Sequence, residues 1–179
     1  LVKEGADWVE RLCVLEIDVA DQKATKLAAS KMREYHSADD SLLYAIVNNA
    51  GIARSDDGVA PILEVNTFGP NRVFEEFFHL VDPKSGRIVN VTSASGPNYL
   101  SHCDEYVRKK LTSQNVTWDE ITNLAESYLK EYEEASTDEK ERLYSDAYGF
   151  SKACTNALTM FLARSHSKLI INSCTPGFI

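Results

Sequence analysis

Four short stretches of this chain are built mainly from Val, Ile and Leu, and each ends in small or polar residues. They are residues 11–19, 42–47, 87–91 and 169–173. Between them lie segments with apolar residues at helical spacing. Residues 21–35 carry Ala24, Leu27, Ala28 and Met32, residues 61–80 read as a helix despite Gly69-Pro70, and residues 153–163 carry Ala157, Leu158, Phe161 and Leu162. Strands that are apolar throughout and alternate with helices predict a parallel sheet covered on both faces. Open sheets of this kind bind ligands at the carboxyl ends of their strands. Here those ends are Asp18, Asn49-Ala50-Gly51, Ser93 and Pro176-Gly177. Ordinary strand-to-helix turns favour the same residue types. Four such ends in succession favour a site.

One pair of residues gives that site a chemistry. Tyr148 and Lys152 stand four apart at the start of the 153–163 run. On a helix, positions i and i+4 share a face. A cation beside a phenol favours the phenolate form, which makes a general acid usable near neutral pH. Alone, the pair is weak, because such spacings arise by chance on many helices.

Composition narrows the classes. The chain has 179 residues, is 44% hydrophobic and carries a formal net charge of −8. One domain over residues 1–179 is the expectation. The charge argues against a nucleic-acid binder, and no apolar run approaches the ~20 residues of a membrane span. Cys13, Cys103, Cys154 and Cys174 form no C-x-x-C, and three of them lie in apolar runs. They read as reduced core thiols of a cytoplasmic protein. His102-Cys103 lacks a second ligand pair at zinc spacing, so no metal site is expected. The acceptor-like Asn90-Val91-Thr92 falls in a buried strand and Asn115-Val116-Thr117 comes with no sign of secretion, so neither is taken as glycosylated. The chain starts on Leu1 and stops at Ile179 just after a strand, and both ends read as cut.

Asn48-Asn49-Ala50-Gly51, Asn66, Asn90-Val91-Thr92-Ser93, Tyr148-x-x-x-Lys152 and Pro176-Gly177 occur in this order. In these motifs the chain resembles the short-chain dehydrogenase/reductase family. The resemblance implies a Rossmann-like, doubly wound parallel sheet, incomplete at both ends. It implies an oxidoreductase that moves hydride between a nicotinamide cofactor and a small carbonyl or alcohol substrate. Tyr148 would protonate the carbonyl oxygen, Ser93 would hydrogen-bond it, and Lys152 would tune the phenol and hold the nicotinamide ribose. Asp18 would contact the adenine, Asn49, Ala50 and Gly51 would line the adenosine ribose, and Ile179, after Pro176 and Gly177, would meet the carboxamide.

Asn66 also has a physical argument. Pro70 has no N–H, so a helix through it leaves the Asn66 carbonyl without its usual donor. A buried free carbonyl calls for a water, and in the family the carbonyl here binds the water that links the lysine to solvent. The competing reading is a plain kink. The 55 positions between Ser93 and Tyr148 mark an insertion, about residues 100–142. Within it, Thr117-x-x-Glu120 is a capping box, and Trp118, Ile121, Leu124, Ala125, Tyr128, Leu129 and Tyr132 recur with helical period. An insertion here resembles the carbonyl reductases that act as monomers and use NADPH. The residues that would choose NADPH over NADH are absent from the sequence, as is the glycine-rich phosphate loop, so NADH stays open. The rival reading is a non-catalytic nucleotide-binding or truncated interaction form of the same fold.

Overall fold

The computed structural model describes residues 12–36 and 43–177. Helix α1 spans Gln22–His36. The frame is a parallel sheet in the order β1-β2-β3, with strands Ala45–Asn48, Arg87–Val91 and Ile170–Cys174. Asn48 pairs with Asn90 across β1 and β2, and Val91 pairs with Cys174 across β2 and β3. The carboxyl ends of the three strands are therefore level. The central strand has partners on both edges, and its Ile88 and Asn90 are fully buried. Parallel strands need long crossovers, and both crossovers here are helical, which gives a Rossmann-like α/β fold.

The first crossover runs without a break through α2 at Ala60–Leu63, a π-turn at Glu64–Phe68 and α3 at Gly69–Phe77. A 3₁₀ turn at Phe78–Leu80 closes it. The helix survives Pro70 because the ring sits at the opening of α3, where a missing N–H costs least. Just upstream the ladder widens, and the Gly69 N–H reaches back five residues to the Glu64 carbonyl. Such π-turns absorb one extra residue within a helix.

The second crossover carries α4 at Ser95–His102, α5 at Glu105–Leu111, α6 at Trp118–Glu134 and α7 at Thr137–Ser165. The expected capping box opens α6: Thr117 Oγ1 accepts the Glu120 N–H and the Glu120 carboxylate accepts the Thr117 N–H. Ile121, Ala125 and Tyr128 then form its buried stripe, which packs on α7. The Tyr128 ring stacks on Phe150 at 4.3 Å, and its hydroxyl donates to the Leu143 carbonyl at 2.6 Å. The Trp118 ring meets Phe68 of the π-turn edge-on.

Three expectations are corrected. Residues 12–18 form no strand. A strand needs a hydrogen-bonded neighbour, and this stretch has none among the described residues, so Val14 stays 83% exposed. Second, the helix bearing Tyr148 does not begin near residue 153 but at Thr137, so the Tyr/Lys pair lies mid-helix. Third, the cysteines are free, but only Cys154 is a core thiol. Cys13 and Cys174 are exposed and Cys103 is half-buried, because residues 12–18 and the end of β3 lack a covering layer. Among the described residues no helix is long and apolar enough to cross a membrane.

Candidate active site

Helix α7 crosses the level strand ends with Tyr148 half-buried and Lys152 only 5% exposed. The Lys152 ammonium donates to the Val91 carbonyl at 2.9 Å, which ties it to the last residue of β2. It lies 5.7 Å from the centroid of the Tyr148 ring. Burial disfavours the charged form and pushes the lysine below its usual range. Gly51 forms the opposite wall. A Cβ there would come within 3.3 Å of Lys152 Nζ and 3.2 Å of Asn66 Oδ1, so only glycine lets the backbone lie this close.

Asn66 locks that wall in place. Its Oδ1 accepts the Ile52 N–H at 2.9 Å, and its amide donates to the Ile52 carbonyl at 2.8 Å and to Ser151 Oγ at 2.9 Å. The carbonyl of Asn66, expected to call for a water, accepts the Thr155 hydroxyl at 2.7 Å. That is the one correction to the Asn66 expectation. Pro70 withholds a donor, and a side chain of α7 supplies one.

Beyond Thr155 the polar contacts continue as a buried seam. Thr159 Oγ1 donates to the Thr155 carbonyl, Asn90 donates to Thr159 Oγ1, and Asn48 donates to Asn90 Oδ1, each at 2.8 Å. The seam therefore links β1, β2, α7 and the π-turn.

The other expected residues fall as follows. Ser93 follows β2, and its Oγ accepts the Ser95 N–H at 3.1 Å and lies 3.2 Å from Ser95 Oγ. Asn49, Ala50 and Gly51 are exposed at the end of β1, and Pro176 and Gly177 at the end of β3. Gly177 has φ +84°, a left-handed backbone that suits glycine. Asp18 sits apart. Its carboxylate accepts the Ala20 N–H at 2.9 Å within its own turn. Residues 13–19 and the end of β1 face each other across a cavity of about 390 Å³. Ile179 lies outside the described residues. The structure thus brings together Gly51, Asn66, Val91 and Lys152, with Tyr148 one turn from the lysine.

Beside Tyr148, a cleft of about 130 Å³ opens between α4 and α7. Its walls include Ser95, Asn98, His102, Ser145 and Asp146, and His102 Nε2 lies 3.3 Å from the Asp146 carboxylate. Among the described residues no group of three His, Cys, Asp or Glu side chains could hold a metal.

Sequence reasoning missed Ser151, Thr155 and the Val91 carbonyl. The signal was present: Ser151, Thr155 and Thr159 are polar residues four apart in an otherwise apolar helix.

Residues 2–119 match the family model for short chain dehydrogenase. The chain belongs to that family. Among curated relatives of this short chain dehydrogenase, carbonyl reductase [NADPH] 1 of Bos taurus is 28% identical over 177 residues, covering 92% of this chain and 62% of that protein. The Homo sapiens protein of the same name is likewise 28% identical with the same coverage. The chain thus spans about three-fifths of the length of these relatives. Among solved structures, salutaridine reductase from Papaver somniferum has a TM-score of 0.76 at 25% identity, covering 91% of this chain and 68% of that one. The NADPH-bound carbonyl reductase from chicken fatty liver has a TM-score of 0.58 at 19% identity, covering 94% of this chain and 58% of that one, and speaks for the fold alone.

Proposed function

We propose that the protein carrying this chain is an NADPH-dependent oxidoreductase that reduces a ketone or aldehyde to an alcohol. One observation carries the reading. A buried lysine ammonium, held by the Val91 carbonyl and walled by Gly51, lies beside the ring of a half-buried tyrosine at the level ends of a parallel sheet.

The residues present fit a nicotinamide dinucleotide. Asn49, Ala50 and Gly51 leave exposed backbone at one strand end, Pro176 and Gly177 at another, and Lys152 has ammonium protons to spare after bonding Val91. Such a cofactor supplies hydride to the carbonyl carbon. In this reading Tyr148 gives its hydroxyl proton to the carbonyl oxygen, and Lys152 supplies the positive charge that steadies the phenolate left behind. Ser93 orients the same oxygen. Asn66 holds the wall opposite Lys152, Asp18 lies toward the adenine, and Ile179 toward the carboxamide. The rest of the substrate fits the polar cleft between α4 and α7.

We take residues 1–179 as part of one dehydrogenase domain, with about residues 100–142 as its insertion. The α6 stripe on α7 covers a face that could otherwise pair, which supports a monomer. Unpaired cysteines support a cytoplasmic location. NADPH is favoured over NADH by the names of the relatives.

The test is direct. The full-length protein should oxidise NADPH in the presence of an aryl ketone or aldehyde and release the matching alcohol, with NADH poorer. No alcohol from a broad carbonyl panel with either cofactor would overturn the assignment.

A further inference from the structure

We infer that Thr155 is a positioning residue of the Tyr148–Lys152 site: its hydroxyl pins the π-turn to α7 and so holds the Gly51–Ile52 wall against the lysine ammonium. The inference rests on the reductase reading for its catalytic consequence, and on geometry alone for the pin.

Asn66 is 1% exposed, and its side-chain amide is committed to Ile52 and Ser151. Where Asn66 goes, the Ile52 backbone follows, and Gly51 with it. Two hydroxyls one turn apart on α7 fix Asn66. Ser151 Oγ gives its proton to the Tyr148 carbonyl at 2.8 Å, so it can only accept from the Asn66 amide. Thr155 acts on the other end, the Asn66 carbonyl.

The Thr155 hydroxyl has one proton and two carbonyls in reach, Asn66 at 2.7 Å and Ser151 at 2.8 Å. In an α-helix the Ser151 carbonyl already receives the backbone N–H of Thr155. The Asn66 carbonyl faces Pro70, which has no N–H to offer. A buried acceptor short of a donor gains more from a new proton than one already supplied. The hydroxyl proton therefore belongs with Asn66. Valine has nearly the same shape as threonine, so the hydroxyl is spent on the bond and not on filling space.

The test uses Thr155→Val and Thr155→Ser in the full-length protein, with two measurements. One is amide hydrogen exchange at Ile52, whose N–H is held by Asn66 Oδ1. The other is kcat and KM for reduction of an aryl ketone with NADPH. Losing one buried hydrogen bond should speed Ile52 exchange and lower kcat by roughly tenfold each, with the ketone KM changed less than about twofold. Thr155→Ser keeps the hydroxyl and should restore both to near wild type. Wild-type exchange and kcat in Thr155→Val would overturn the inference. So would a lowered melting temperature with kcat intact, or a serine variant that fails to rescue. A wild-type protein that reduces no ketone overturns the reductase reading instead. Ile52 exchange needs no turnover and decides the pin separately.

Discussion

Helix α7 has two buried stripes that run side by side and serve different ends. Leu143, Ala147, Phe150 and Cys154 are all 2% exposed or less. They belong to the apolar side, where the rings of Tyr99 and Tyr128 meet Phe150. Ser151, Lys152, Thr155 and Thr159 lie one position further round and are almost as deeply buried, at 6% exposed or less. They meet the π-turn and the sheet through hydrogen bonds. Apolar burial is non-directional and stabilises in proportion to area. A buried polar atom must instead meet a partner at a fixed place. The first stripe holds the helix on, and the second decides where its reactive groups point. Substitutions should separate the two.

The largest effect belongs at the reactive end of the polar stripe. Tyr148→Phe keeps the ring and removes its proton, so turnover of a ketone by the full-length protein should fall by about 10²–10⁴-fold. NADPH binding and melting temperature should barely move. Lys152→Ala should weaken both cofactor binding and rate, while Ser93→Ala should slow the reaction alone. Assays of NADPH consumption with parallel binding titrations distinguish the three, and wild-type turnover in Tyr148→Phe would remove the polar stripe from the chemistry.

The apolar stripe should answer in stability. Phe150→Ala empties the space between Tyr99 and Tyr128 and should cost about 3–5 kcal/mol in urea unfolding. A loss below about 1 kcal/mol would mean that the α4–α6 layer contributes little to holding α7.

The same stripe should be sensitive to alkali. Burial pushes the Cys154 thiol above its ordinary 9.0 and the Tyr99 and Tyr128 phenols above their ordinary 10.0. A group whose pKa is higher folded than unfolded stabilises fully below the unfolded value, and that contribution drains away as pH rises past it. Cys154 alone should cost about 1.4 kcal/mol per pH unit above its ordinary value. The urea midpoint should fall between pH 8 and 10.5, and less steeply in Cys154→Ala. A flat midpoint would contradict a neutral, buried thiol.

The smallest effect lies one layer out. Thr117→Ala removes the cap of α6 and should cost about 1 kcal/mol by thermal or urea melts, with turnover unchanged. A fall in rate would show that the insertion reaches the polar stripe, through the contact between Trp118 and Phe68.

How much of this was legible in the sequence follows the same division. Apolar runs gave β1, β2 and β3, because burial on both faces leaves its mark in every residue. The α6 cap and stripe were readable because both are local. Residues 12–18 look just as strand-like as β2, yet only pairing makes a strand, and pairing is not written in the stretch itself. The Tyr148 helix began earlier than expected because residues 137–147 face α6 with polar residues outward and lack the dense apolar run that marks residues 153–163. At the site, Pro70 foretold a carbonyl in need of a donor. That Thr155 would provide it depended on a neighbour 89 residues away, which no local pattern reports.

The π-turn has a consequence for length. In an α-helix each residue advances the side chains by about 100°. The turn at Glu64–Phe68 takes up one residue without that advance, so α2 and α3 both keep an inward face, Ile62 and Leu63 before it and Val73, Phe74 and Phe77 after it. Deleting one residue here would let the ladder close as ordinary helix and swing α3 by about that angle, carrying its phenylalanines off the core. This stretch is helical and has no visible gap, yet its residue count is as constrained as that of a tight hairpin. Insertions and deletions belong in the exposed residues 53–57, not here.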